Sequence, residues 1–326
     1  MNSGVAEQFF PPDIRNRLAE LVDLIPGPVI DDWHRPGTLQ RLAEVDLLVT
    51  GWGCPRVDET VLAAAPRLRA IVHTAGSVRS IVGDACWSRE IAVATAASAN
   101  ALPVAEYTLA MILLTNKRVL ESANRLHRER SAYRDSPFSA SLGNYRRTIG
   151  VLSASLIGRR LMELLRAHDF EILLYDPFVS TAEATHLGAE LIGLHELFRR
   201  SDVVTIHTPL LPETVGLVGA HEIDAMRPGS ILINTARGAI LDHEALIAHV
   251  RDGRIRAVLD VTDPDPLPDS SELYDLDGVL LTPHIAGSKD GEFLRLTECA
   301  LSEIRRWTQG LGFAHPLPQE VFSRTA

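Results

Sequence analysis

Ser230-Ile231-Leu232-Ile233-Asn234-Thr235-Ala236-Arg237-Gly238 decides how the rest of the chain reads. A β-branched apolar run passes straight into a polar residue, Asn234, and then a charged one, Arg237. The pattern returns in Arg256-Ala257-Val258-Leu259-Asp260, and again in Val279-Leu280-Leu281-Thr282-Pro283-His284. Buried parallel strands look like this, and ligands gather beyond their carboxyl ends. Three consecutive strand ends therefore deliver Arg237, the carboxylates of Asp260, Asp263 and Asp265, and His284. An arginine fork suits a carboxylate, and an imidazole suits proton transfer at a carbonyl oxygen.

Working outward, the spacing predicts six strands in regular alternation with helices, at 148–152, 171–175, 203–206, 230–234, 256–260 and 278–281. Asp242 caps a helix that runs to Asp252 and is closed by Gly253. An earlier series puts strands at 46–50, 70–73 and 91–94, with helical spacing over 11–24 and 57–65. A long helix is expected from Leu102, with Pro103 in its first turn and apolar positions running on to Leu120. Residues 131–145 read as a polar loop. The last helix, about 290–309, is expected to return to the first domain. Alternation of this kind implies α/β architecture with parallel sheets. The expected domains are 1–99 with 287–326, and 100–286.

The 326 residues suit two domains, and 46% hydrophobic with 23% charged residues is an ordinary globular balance. A net charge of -10 without any basic block argues against nucleic acid as a partner. Cys54, Cys86 and Cys299 lack CxxC spacing, which fits a reducing cytoplasm better than disulfides or zinc. No signal-peptide pattern opens the chain, and the uncharged run 107–116 is too short for a bilayer. No metal is expected: His243, Glu244 and His249 do not have HExxH spacing.

After the strand at 148–152 a dinucleotide site calls for G-x-G-x-x-G. This chain has Ser153-Ala154-Ser155-Leu156-Ile157-Gly158, keeping only the third glycine. A strand, a small-residue turn, a helix start and Asp176 at the next strand end remain. Orphan N–H groups of a helix start attract pyrophosphate, and a carboxylate at Asp176 favours NAD over NADP. A serine at positive φ costs about 1–2 kcal/mol, so affinity falls without binding being lost. Taken alone, the turn is as compatible with a βαβ unit that binds nothing.

The three strand-end motifs, in their order and spacing, resemble those of the D-isomer-specific 2-hydroxyacid dehydrogenases, over roughly residues 45–307. The resemblance implies two Rossmann-like domains, one flavodoxin-like and one dinucleotide-binding, the second inserted in the first. It implies NAD as cofactor, a small 2-oxo or 2-hydroxy acid as substrate, a homodimer, and reversible reduction to a D-2-hydroxy acid; the short apolar run already argues against a membrane. By that match Arg237 grips the substrate carboxylate, His284 is the acid/base, and Asp265 stands where the family usually has a glutamate. Cofactor contacts fall on Ser153, Ser155, Leu156, Ile157, Gly158, Asp176, His207, Thr208, Pro209, Thr235, Ala236, Asp260 and His284. Of these, Leu156 replaces a usual arginine or histidine, and Asp260 matches the carboxylate that meets the nicotinamide amide. Substrate contacts fall on Trp52, Ala75, Gly76, Ser77, Arg237 and His284. Formate enzymes of the superfamily carry glutamine at the Asp265 position, which argues against that branch; phosphite oxidation stays open. The damaged turn also admits a second reading, a nucleotide-binding regulator on the same fold.

Overall fold

The computed structural model describes residues 1–130, 142–322 and 324, which divide into two compact units, 1–100 with 288–326, and 101–287. The expected loop at 131–145 falls largely outside the described residues.

In the first unit three parallel strands, β1 (Leu47–Thr50), β2 (Ala70–His73) and β3 (Ala92–Thr95), lie in the order β1-β2-β3. One face buries Val57, Val61, Leu62, Ile71 and Val93; the other packs Val72 against Ile14, Leu18, Leu301 and Ile304. Residues 1–10 add no strand. Ser3–Phe9 is a helix capped by Asn2, whose side chain accepts from the Gly4 N–H.

The second unit is a seven-stranded parallel sheet of β4 (Thr148–Leu152), β5 (Glu171–Tyr175), β6 (Glu190–Leu191), β7 (Val203–Ile206), β8 (Ile231–Asn234), β9 (Arg256–Leu259) and β10 (Val279–Leu281). The order β10-β9-β8-β7-β4-β5-β6 places the reversal of winding between β4 and β7, the point at which such sheets bind ligands. Alternate residues feed opposite faces: Val204, Leu232 and Leu259 pack on one side, Val203, Ile233 and Val258 on the other. Each such side chain contributes roughly 1.5–3 kcal/mol on burial.

Two expectations for the helices need correction. The long helix is Ala97–Asn116, so Pro103 lies inside it and not in its first turn. At Arg118, with φ +50°, the chain breaks before a separate helix, Val119–Glu129. Ala97–Asn116 is also long and apolar enough to cross a membrane, unlike the ten-residue run read from the sequence. Here Ala105 and Ile112 are buried in the core of the second unit.

Candidate active site

The three polar strand ends leave adjacent strands. Asn234 pairs in register with Leu259, and Leu259 with Leu281. Beyond β8, Asn234 folds its amide back, donating to the Arg237 carbonyl at 3.0 Å and accepting from the Ala236 N–H at 3.0 Å. Arg237 is thereby fixed at the mouth of its strand. Gly238 shows why no side chain follows: a Cβ there would lie 2.0 Å from the Thr262 carbonyl carbon. The β8 and β9 loops thus meet backbone to backbone.

Arg237 is half-buried, and among the described residues it makes no ion pair. Its Nη1 donates to its neighbour's carbonyl, Ala236 O, at 2.6 Å. Burial pulls its pKa below the usual arginine value, and no carboxylate raises it again. A guanidinium held half out of water without a counter-ion is suited to receiving an anion.

His284 has φ +52°, a backbone conformation that costs a non-glycine residue energy. Its Nδ1 lies 3.2 Å from Asp265 Oδ2, so the shorter acid still reaches the ring. Both peptide bonds before Pro264 and Pro266 are cis. The two side chains are 55% and 48% exposed, leaving the pair partly screened by water. Asp263, the other candidate, makes no ion pair with His284 among the described residues.

Asp260 faces into the protein. It is 2% exposed, and its carboxylate accepts from Thr282 Oγ1 at 2.6 Å, Ile285 N at 2.8 Å and Ala286 N at 2.8 Å. Turned inward, it holds the loop that carries His284.

At the reversal point the serine turn keeps the shape of a glycine turn. Ser153 takes φ +82°, and Ser155 caps the helix Leu156–Leu165 by accepting from Gly158 N at 3.3 Å. Gly158 is indispensable: a Cβ there would lie 2.1 Å from Ser153 O. Asp176 is held by Ser153 Oγ at 3.1 Å and Ala154 N at 2.9 Å on one oxygen, and by Phe178 N at 2.9 Å on the other. Each carboxylate oxygen can accept more than one bond, so Asp176 keeps capacity for a ribose hydroxyl. Leu156 is 54% exposed beside the helix start and adds no charge to it. With a left-handed turn, helix N–H groups and an oriented acid, the residues fit a dinucleotide.

His207 and Thr208 close the far side of the turn, with His207 N at 2.9 Å and Thr208 Oγ1 at 3.4 Å from Leu152 O. The His207 ring is folded inward: Nε2 meets Thr205 Oγ1 at 2.9 Å and Nδ1 is buried without a partner among the described residues. Burial pushes its pKa down to about 3, and burial with the nearby amino terminus pushes His73 to about 4. Both are neutral when folded and protonate more readily when unfolded. Stability they contribute is complete above about pH 6.5 and is lost as pH falls toward 4, by up to roughly 1.4 kcal/mol per pH unit for each. The urea midpoint should therefore drop between pH 7 and pH 5, and His207→Gln should flatten that slope. A midpoint equal at both pH values would contradict this.

In the first unit, Trp52 is 39% exposed, with its ring edge-on to Phe9 at 5.2 Å and to Phe293 at 5.6 Å. It is partly core and partly surface. Ala75 is buried, and Gly76 and Ser77 are half-buried in the loop after β2.

Residues 109–286 match the D-isomer specific 2-hydroxyacid dehydrogenase, NAD binding domain. The chain belongs to that family. Its cofactor is NAD(H). The chain is 32% identical over 275 residues to a D-3-phosphoglycerate dehydrogenase of Mycobacterium leprae, covering 84% of this chain and 51% of that protein. It is 33% identical over 255 residues to an (S)-sulfolactate dehydrogenase of Chromohalobacter salexigens, covering 77% and 81%. Among solved structures, D-lactate dehydrogenase from Aquifex aeolicus with NAD and lactic acid has a TM-score of 0.72 at 26% identity, covering 93% and 94%. The chain spans about half the length of the phosphoglycerate enzymes it matches.

Proposed function

We propose that this family member is an NAD-dependent oxidoreductase interconverting a 2-oxo acid and its D-2-hydroxy acid. The observation that carries the reading is Arg237, half-buried and without a counter-charge among the described residues, on the strand beside those that bring His284 to Asp265. Arg237 would hold the substrate carboxylate with its planar fork and polarise the adjoining carbonyl. His284 would give its proton to the carbonyl oxygen during reduction and take it back in oxidation. Asp265 would accept from Nδ1 and fix the orientation of the ring. NAD(H), when bound, supplies or accepts the hydride. Ser155, Ile157 and Gly158 would offer the pyrophosphate a helix start, Asp176 the ribose an acceptor, and Thr208, Pro209, Thr235 and Ala236 the walls. Parts for Ala75, Gly76, Ser77 and Trp52 rest on the resemblance of their loops. A homodimer rests on the family resemblance, and a cytoplasmic location on the three free, widely spaced cysteines.

The second reading, a nucleotide-binding regulator, is motivated by Ser153 and by the uncharged, exposed Leu156. One experiment separates them. NADH and NADPH binding is followed by fluorescence. A turnover screen then covers glyoxylate, hydroxypyruvate, pyruvate and phenylpyruvate, with the phosphorylated and sulfonated 2-oxo acids that relatives' names suggest. NADH should bind more tightly than NADPH, and at least one acid should be reduced. Tight NADH binding without turnover of any of them would favour the regulator.

A further inference from the structure

Tyr107, on the helix Ala97–Asn116, takes no part in the chemistry above, yet its hydroxyl lies 2.7 Å from Thr282 Oγ1. Thr282 Oγ1 in turn donates to Asp260 Oδ1 at 2.6 Å. A threonine hydroxyl has one proton. With that proton directed to Asp260, the Tyr107 O–H must be the donor to Thr282. Burial raises the Tyr107 pKa and the Asp260 charge adds to the rise, against the opposing effect of the Thr282 bond. The phenol therefore stays protonated and keeps donating. The chain of bonds runs one way, from Tyr107 through Thr282 to Asp260.

What Asp260 holds gives this chain its consequence. Its two oxygens fix the Ile285 and Ala286 N–H groups, and its main-chain carbonyl accepts from His284 N at 3.0 Å. One buried residue thus holds three consecutive N–H groups, and the first belongs to a histidine in the left-handed region. That conformation is unfavourable without a surrounding structure that imposes it. If the carboxylate turns, the loop relaxes and the imidazole leaves its 3.2 Å approach to Asp265. Thr282 sets the angle of the carboxylate, and Tyr107 sets the rotamer of Thr282.

Resting on the proposed role of His284, the geometry points to Tyr107 as a positioning residue for His284, acting through Thr282 and Asp260. The plain alternative is that Tyr107 only packs the helix against the sheet.

Tyr107→Phe keeps the ring and deletes the donor. Its kcat for 2-oxo acid reduction falls roughly three- to tenfold, as loss of one hydrogen bond in a polar network predicts, with the KM for NADH unchanged. Thr282→Val falls similarly and Thr282→Ser restores the rate. Adding Tyr107→Phe to Thr282→Val brings no further loss, because the chain is already cut. A second arm needs no turnover: in 15N-histidine-labelled protein, the His284 ring signals, assigned by their absence from His284→Gln, move in Tyr107→Phe. An unmoved His284 signal overturns the proposal whatever the rates do, and so do additive losses in the double variant. Should the wild type reduce no 2-oxo acid, the functional reading falls, while the spectroscopic arm still decides the role of Tyr107.

Discussion

Arg237→Ala is expected to lower kcat/KM for the 2-oxo acid by about a thousandfold, near the 3–5 kcal/mol lost when one partner of a buried charge pair is removed. The same substitution should leave the urea midpoint unchanged or raise it. Arg237 is held half out of water with no counter-ion among the described residues, and burial alone depresses its pKa. A group that bears a desolvation cost in the free protein, and recovers it only against an anion, destabilises the empty fold. Arg237→Lys keeps the charge and loses the planar fork, so it should recover only part of the rate. Steady-state kinetics and urea titration of the three proteins check this. If Arg237→Ala unfolds the chain more easily while a soluble fraction keeps wild-type kcat/KM, the arginine is a structural group and the substrate reading loses its anchor.

The residues that carry the site were legible because parallel strands write their ends in sequence. β8, β9 and β10 are apolar runs that stop at Asn234, Asp260 and Thr282, and strand adjacency converts three separate motifs into one place. Shorter or more locally strained features were not legible. β6 is two residues, Glu190–Leu191, too short to show alternation. The helix start at Ala97 was hidden because small residues bear no periodic signal, and this displaced Pro103 from the first turn to the interior. The break at Arg118 depends on φ +50° at a residue type that seldom signals it. Side-chain direction was the largest gap. Nothing in Leu259-Asp260-Val261 says that the carboxylate turns onto Ile285 and Ala286, or that Tyr107 reaches Thr282 across 175 positions. The serine turn shows the converse: two lost glycines suggested damage, yet Ser153 holds φ +82° and bonds to Asp176. The motif specifies a backbone shape, and glycine is only its least costly occupant.

His284→Ala should lower kcat by about 10²–10⁴-fold, the range of a general acid–base contribution, with NADH affinity little changed. Asp265 makes a sharper test because its contact is imperfect. At 3.2 Å it is longer than the 2.7–2.9 Å typical of charge-assisted pairs, and water screens both partners. Asp265→Asn should therefore cost far less than the loss of His284, roughly three- to tenfold in kcat. Asp265→Glu, with one more methylene, should shorten the contact and keep or raise kcat, because a closer carboxylate holds the ring more firmly. A loss from Asn with none from Glu would be hard to obtain from any role other than direct pairing with His284. Equal losses, or none, would leave His284 without Asp265 as its partner, and Asp263 as the next carboxylate to test.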